Sequence, residues 1–380
     1  MSDPIYIFAG GGTGGHLYPG LAVAEQLRAT QPAAKIVFAC SDRSIDRHIL
    51  DPTPHAVVVQ PVRPMPRSLR GWGGFARAYL RSARQARQMV GDLKPAGVLG
   101  LGGFAAGPIV SRAAAVGVPT ALLNPDAVPG KANRLLGRRV DVIFTQFEPT
   151  AEAFSGAARR KVRRVGCPVR SGFATARRAE AVEHFELRAD RRTLLVNGGS
   201  LGAASINEAI GQLSAELAEL ADRWQVLHVT GRSKPPPAGR DASGLHLRVL
   251  EYCRRMDLAC AAADLVLSRA GAVTVAELTA TATPAVLIPY PYHADQHQRL
   301  NADALCRAGA AVLCEDARDA RLNAQRLRDV LLPVLREPER LGRMQQAAGA
   351  RRITDAAEQV ARWLADGGRR ADYGRASEGS

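Results

Sequence analysis

The chain has 380 residues, 46% hydrophobic and 23% charged, which excludes a fibrous or wholly disordered protein. A single hydrophobic core stops growing at about 250–300 residues, so two domains are expected. Lys and Arg number 51 against 36 Asp and Glu, and the formal charge of +15 demands an anionic partner: nucleic acid, a phosphorylated substrate or a membrane surface.

In chain order, Ile5–Ala9 is a short apolar run of β type. Gly10-Gly-Gly-Thr-Gly-Gly15 follows, then helical spacing from about Pro19 to Ala29: strand, glycine loop, helix. Strands are predicted at Ile36–Ala39, Ala56–Val59 and Gly97–Leu99, the last running into further glycines. Thr120–Leu123 and Val140–Thr145 read as two more. Strands alternating with helical stretches predict a parallel α/β sheet covered on both faces.

The pattern then restarts. Thr193–Val196 is a strand and Asn197-Gly-Gly-Ser-Leu-Gly-Ala203 a second glycine loop, followed by helical spacing over Ile206–Leu220. Gln225–Thr230, Asp264–Leu267 and Ala285–Ile288 read as strands, and a helix is predicted from Gly271 through Thr281. Glu337–Asp366 reads as a terminal helix. The expected organisation is an N-terminal domain over 1–165, a charged linker over 166–192, a C-terminal domain over 193–366 and a disordered tail over 367–380.

The six cysteines are scattered and form no C-x-x-C, so reduced cytosolic thiols are expected and no metal or redox motif follows. The N-terminus shows no basic n-region of a signal peptide. The longest uncharged stretches are broken by Gly or Pro, so none reads as a membrane-spanning helix.

A glycine loop between strand and helix brings backbone N–H groups to a phosphate. Gly10-x-Gly12-x-x-Gly15 fits the dinucleotide fingerprint formally, but the fingerprint wants an acid at the end of the next strand, and Asp42 lies beyond it. The loop ends in His16, which is either an ordinary helix-start residue or an imidazole poised to accept a proton. Thr274 and Glu277 share one helix face just after a glycine turn. Glu277 is there either a solvated helix carboxylate or the acceptor for a ribose diol. His297, Gln298 and Asn301 form a polar patch able to grip sugar hydroxyls. His293 and His297 stand four apart, but a metal reading lacks a third ligand.

Gly10-Gly-Gly-Thr-Gly-Gly-His16-Leu-Tyr-Pro-Gly-Leu-Ala-Val-Ala-Glu25 resembles the opening motif of the MurG family. Leu99-Gly-Leu-Gly-Gly-Phe104, Gly166-Cys-Pro-Val-Arg170, Gly198-Gly-Ser-Leu-Gly202, Ser268–Glu277 and His297-Gln-x-x-Asn301 match its later motifs in order, over about residues 5–360. The resemblance implies two Rossmann-like α/β domains facing a cleft, the GT-B glycosyltransferase architecture. It implies inverting transfer of GlcNAc from UDP-GlcNAc to the MurNAc C4 hydroxyl of lipid I, in peptidoglycan synthesis at the cytoplasmic face of the cell membrane, with no cofactor required. It implies Glu277 on the ribose, Tyr252 and Cys253 beside the uracil, and Ser200, Arg170 and the helix start Ala272, Val273 and Thr274 near the diphosphate. His297 and Gln298 would hold the GlcNAc hydroxyls. Arg269 would support the same turn or form a structural ion pair. Thr13, Gly14, Gly15 and His16 would face the acceptor, with His16 as the base or as an orienter of the acceptor diphosphate.

Three departures stand out. Leu123-Asn124-Pro125-Asp126 replaces the family's usual His-Glu-Gln-Asn, so Asn124 and Asp126 would contact substrate and Asp126 is a second candidate base. Leu201 stands where Gln is usual, and Cys167 where Asn is usual. These departures keep two alternatives open: a diacylglycerol or other glycolipid acceptor, and a UDP-GlcNAc epimerase of similar fold.

Residues 61–95 carry eight basic residues against Asp92 alone, interleaved with Trp72, Phe75 and Tyr79 at helical spacings. Such a stretch lies on an anionic membrane, or it is a core-facing stripe with a solvated basic face. No nucleic-acid-binding motif accompanies the charge, so nucleic acid is not the expected partner.

Overall fold

The computed structural model describes residues 3–64, 66, 68, 71–199, 202–231, 244–293 and 295–368. The chain forms two compact units: Met1–Pro125, Pro129–Arg170 and Asp355–Ser380 make the first, Asp126–Val128 and Ser171–Thr354 the second.

The first unit is built on seven parallel strands: β1 (Ile5–Gly10), β2 (Lys35–Cys40), β3 (Ala56–Val59), β4 (Gly97–Gly102), β5 (Thr120–Asn124), β6 (Val142–Thr145) and β7 (Val162–Arg164). Their order is β3-β2-β1-β4-β5-β6-β7. Successive side chains of a strand point to opposite faces, so a sheet covered on both sides needs nearly continuous apolar runs. In β1, Tyr6 and Phe8 pack with Leu17, Val23 and Leu27 of helix Gly14–Thr30. Ile7 and Ala9 pack on the other face with Met89, Val90, Ile109 and Val110, from helices Trp72–Leu93 and Gly107–Ala115.

The second unit repeats the plan with β8 (Arg192–Asn197), β9 (Trp224–Val229), β10 (Leu247–Leu250), β11 (Leu265–Ser268), β12 (Ala285–Leu287) and β13 (Ala311–Leu313), ordered β10-β9-β8-β11-β12-β13. Leu194, Val196, Leu265 and Leu267 bury against helices Ala204–Gln212 and Ala320–Arg336. Both sheets are doubly wound, as expected. Both reverse order at one point, between β1 and β4 and between β8 and β11. In such folds the crevice at the carboxyl ends of the strands there is where ligands bind.

Three segments differ from the sequence reading. The predicted terminal helix breaks into Pro338–Gly349 and Ala356–Ala365. The first buries Leu341 and Met344 in the second unit. The other buries Val360, Ala361, Trp363 and Leu364 in the first, with Trp363 edge-on to Phe144 at 6.0 Å. Its stripe of Ala356, Ala357, Val360, Ala361 and Leu364 is small and apolar, which lets one helix pack closely on another. The expected linker 166–192 is ordered from Ser171 as part of the second unit. Arg178 donates to Ala262 O at 2.6 Å and Asp264 Oδ2 at 3.0 Å, so its charge serves packing. The helical spacing over 206–220 is two helices, Ala204–Gln212 and Ser214–Ala218. The expected tail lies outside the described residues from 369 onward.

Candidate functional site

In the first unit, the loop after β1 meets the carboxyl ends of β4 and β5. Asp46, on helix Ser44–Leu50, is fully buried beneath the loop. It accepts from Gly12 N at 2.7 and 2.9 Å, from Ser41 N at 3.1 Å and from Ser41 Oγ at 2.6 Å. A Cβ on Gly11 would lie 2.4 Å from Asp46 Oδ2, so only glycine fits. Arg43 donates to Gly12 O at 3.0 Å and lies over the Phe104 ring at 5.7 Å.

His16 sits in the first turn of helix Gly14–Thr30, with Nδ1 3.0 Å from Gly11 O and 3.2 Å from Thr13 Oγ1. Its ring rests on β4: a Cβ on Gly102, whose φ is 101°, would lie 3.0 Å from His16 Cδ2 and 3.2 Å from Nε2. Beside it, Asn133 Nδ2 donates to Leu123 O at 3.1 Å and to Asn124 Oδ1 at 3.0 Å. Thr13, Gly14, Gly15, His16 and Asn124 therefore gather at the order reversal of this sheet. Arg170 belongs to the same unit, its guanidinium 5.3 Å over the Tyr18 ring.

In the second unit, the loop after β11 opens helix Ala272–Thr281, with Gly271 as its extended N-cap and Val275 N bonded to Gly271 O at 2.9 Å. Ala272, Val273 and Thr274 form the first turn. Glu277 is half-buried one turn on, on the Thr274 face. Arg269 is a structural hub: it pairs with Asp316 at 2.8 Å and donates to Ser205 Oγ, Ile288 O and Pro289 O at 3.0, 3.2 and 3.3 Å. Burial alone would raise the Asp316 carboxyl. The hydrogen bonds from Asn323, the Arg318 N–H and Arg269 outweigh it and hold it below its ordinary value. One side chain thus ties together the ends of β11 and β12 and the helix after the second glycine loop.

The polar patch divides. His297 gives Nδ1 to Asp295 Oδ1 at 2.8 Å and stacks on His293 at 4.3 Å. That contact holds the Asp295 carboxyl below its usual range. Gln298 Oε1 accepts from Tyr290 N at 2.9 Å, which leaves its NH2 as the end with donors to offer. Asn301, expected to grip sugar hydroxyls, is fully buried, and its amide is spent on protein. It accepts from Ala127 N at 2.8 Å and donates to Asp126 Oδ1 at 3.0 Å and Ala270 O at 3.2 Å. Asp126 accordingly groups with the second unit. Cys253 is buried. Ser200 and Leu201 lie outside the described residues. Among the described residues no three His, Cys, Asp or Glu side chains gather to hold a metal ion.

The sequence reading missed Asp46, Asn133, Asp295 and His228. His228, on β9, is fully buried, bonds Asn207 Oδ1 at 3.0 Å, and is pushed by burial down to about 4. Asp46 had no fingerprint signal, because the fingerprint wants an acid at the end of β2 and Asp46 lies on the helix beyond it.

The domain models of glycosyltransferase family 28 match this chain, the N-terminal one over residues 6–145 and the C-terminal one over 193–360. The UDP-N-acetylglucosamine--N-acetylmuramyl-(pentapeptide) pyrophosphoryl-undecaprenol N-acetylglucosamine transferase of Thermodesulfovibrio yellowstonii is 35% identical over 345 residues, 90% of this chain and 93% of that protein. The protein of the same name from an Anaeromyxobacter species is 37% identical over 366 residues, 93% of this chain and 91% of that protein. The crystal structure of Acinetobacter baumannii MurG aligns with a TM-score of 0.72 at 25% identity, covering 96% of this chain and 99% of that one. Two doubly wound domains, a glycine loop at each order reversal and relatives matched along nearly their whole length lead to one assignment: the chain belongs to the MurG family of glycosyltransferases and has the GT-B architecture.

Proposed function

We infer that this protein moves GlcNAc from UDP-GlcNAc to the C4 hydroxyl of MurNAc in undecaprenyl-diphosphate-MurNAc-peptide, the reaction its relatives are named for. The observation that carries the mechanism is His16, held through Nδ1 on Gly11 O at the order reversal of the first sheet. A carbonyl oxygen only accepts, so Nδ1 carries the ring proton and Nε2 carries the lone pair. Nε2 takes the proton of the C4 hydroxyl as that oxygen attacks the anomeric carbon. The C1–O bond to UDP breaks on the opposite face, and the diphosphate leaves with the electron pair. The first turn of helix Ala272–Thr281 and the Arg170 guanidinium stabilise that charge. Glu277 accepts the ribose hydroxyls, the Tyr252–Cys253 backbone lies beside the uracil, and His297 and Gln298 hold the GlcNAc. Asp126, engaged by Asn301, orients substrate rather than serving as the base.

The dinucleotide-fingerprint reading of the first glycine loop loses its footing on Asp46. A carboxylate already occupies the Gly12 N–H, which repels a pyrophosphate there. Incubation with UDP-GlcNAc and either lipid I or diacylglycerol tests the acceptor. Product from lipid I is expected. Product from diacylglycerol alone, or free epimerised sugar without acceptor, would overturn the reading.

The same reading places the protein on the anionic cytoplasmic surface of the membrane. No helix among the described residues is long and apolar enough to cross a bilayer. On helix Trp72–Leu93, positions 72, 75, 79, 82 and 86 form one stripe. Ser82 and Ala86 are buried, while Trp72 and Tyr79 are 46% and 47% exposed. The ring of Phe75 links these two, at 5.7 Å from Trp72 and 6.4 Å from Tyr79. Arg77, Arg81, Arg84 and Arg87 line the other side of the helix; Arg67 and Arg70 lie outside the described residues. Replacing Trp72, Phe75 and Tyr79 by Ser should release the protein from anionic vesicles, and unaltered binding would discard this surface.

A further inference from the structure

We propose that Asp46 is a positioning residue for the proton-accepting imidazole, acting through the peptide bond between Gly11 and Gly12. This rests on the reading of His16 as the base. The two contacts fall on one peptide plane. Its N–H is donated to both Asp46 oxygens, at 2.7 and 2.9 Å, and its C=O receives His16 Nδ1 at 3.0 Å. The arrangement is carboxylate, amide, imidazole, with the amide interposed where a serine hydrolase has direct contact.

Two consequences follow from elementary chemistry. A carboxylate on an amide N–H polarises the amide and makes its oxygen a stronger acceptor, because hydrogen bonds in series reinforce one another. That oxygen then holds the proton on Nδ1 and keeps the lone pair on Nε2. When Nε2 takes the hydroxyl proton, the new imidazolium keeps its Nδ1–H on Gly11 O, and the Asp46 carboxylate offsets the charge through the plane. Asp46 is also well fixed for this role, since Ser41 donates to it twice and its side chain is buried.

Other groups face the ring. Arg43, from the N-cap of the helix that carries Asp46, opposes it in sign, but its bond is to Gly12 O, on the next peptide. Gly102 and Gly103 of the β4 loop and the neutral amides of Asn124 and Asn133 contribute no charge. On the helix of His16 itself, Tyr18 carries Arg170 over its ring. Asp46 is the carboxylate bonded to the plane that His16 uses.

The test is steady-state kinetics of Asp46→Asn, Asp46→Glu and His16→Ala from about pH 5 to 9, with UDP-GlcNAc and the lipid-linked acceptor. Asp46→Asn should lower kcat roughly 10- to 100-fold and leave the donor KM within about 2-fold. It should also move the acid limb of the kcat profile to lower pH, because the imidazolium loses its counter-charge. Asp46→Glu, which keeps the charge, should recover most of the rate and the original limb. An acid limb unmoved in Asp46→Asn would reduce Asp46 to a loop brace and overturn the proposal. Nitrogen NMR of histidine-labelled wild-type protein reads the same point with no variant: the Nδ1–H tautomer of His16 is expected, and the Nε2–H tautomer overturns it. His16→Ala separates the two levels. Wild-type turnover there removes the base and this proposal with it, whereas lost turnover with an unmoved Asp46→Asn limb removes Asp46 alone.

Discussion

The two units share a fold but build different loops at the order reversals of their sheets. In the first, a buried carboxylate fills the underside of the loop and takes the Gly12 N–H, and the side chain presented at the helix start is an imidazole. In the second, the loop after β11 carries Arg269, paired with the buried Asp316, and the helix it opens starts on Ala272, Val273 and Thr274. A loop with an internal anion suits proton removal. A turn braced by a cation, with a helix N-terminus behind it, suits a departing diphosphate. On the proposed reading, one strand–loop–helix plan serves base chemistry in one unit and nucleotide binding in the other.

The largest effect expected from this difference is in the first unit. His16→Ala should cut kcat by about 10²- to 10⁴-fold, read from initial rates at saturating donor, as general-base removal does. In the second unit, Arg269→Ala strands Asp316 in the interior, and removing one partner of a buried ion pair costs about 3–5 kcal/mol. A lower melting temperature with weakened UDP binding is the expected result, and an unchanged melt would deny Arg269 its place as hub. Glu277→Ala should raise the donor KM about 10- to 100-fold, the value of a charge-assisted contact to the ribose, with less change in kcat. An unchanged donor KM removes Glu277 from the ribose.

The effect expected to be spread over the widest range of conditions is a pH dependence confined to the second unit. His228 is buried neutral, with its value pushed down to about 4 from 6.5. Between those two pH values the unfolded chain binds a proton that the native state refuses. Stability is therefore fully present above about 6.5 and falls as pH drops toward 4, by about 3 kcal/mol over the window. Denaturant titration of wild type and His228→Gln should show a shallower acid-side loss in the variant, and parallel curves would contradict the assignment.

The central strands and both glycine loops were legible because apolar runs and glycines are local signals. The edge strands β7, β10 and β13 were not, since Val162–Arg164 is three residues long, two of them arginine, Ala311–Leu313 is also three and Leu247–Leu250 four. The terminal helix was legible as helix but not as two helices in two units, because only packing decides which core accepts Trp363 and which accepts Met344. Site legibility failed in the same way. Asn301 has the residue type of a sugar-binding amide, yet its partners, Ala127, Asp126 and Ala270, lie far away in sequence. Asp46 reaches Gly12 across 34 positions, and a motif scan confined to the loop does not see it.

The division of labour between the units is tested most directly by calorimetric titration of UDP-GlcNAc into His16→Ala beside its turnover with the lipid-linked acceptor. The account predicts donor affinity within about 2-fold of wild type with turnover nearly abolished. Donor affinity falling in step with turnover would contradict it, because the first unit would then be holding the nucleotide sugar rather than removing a proton.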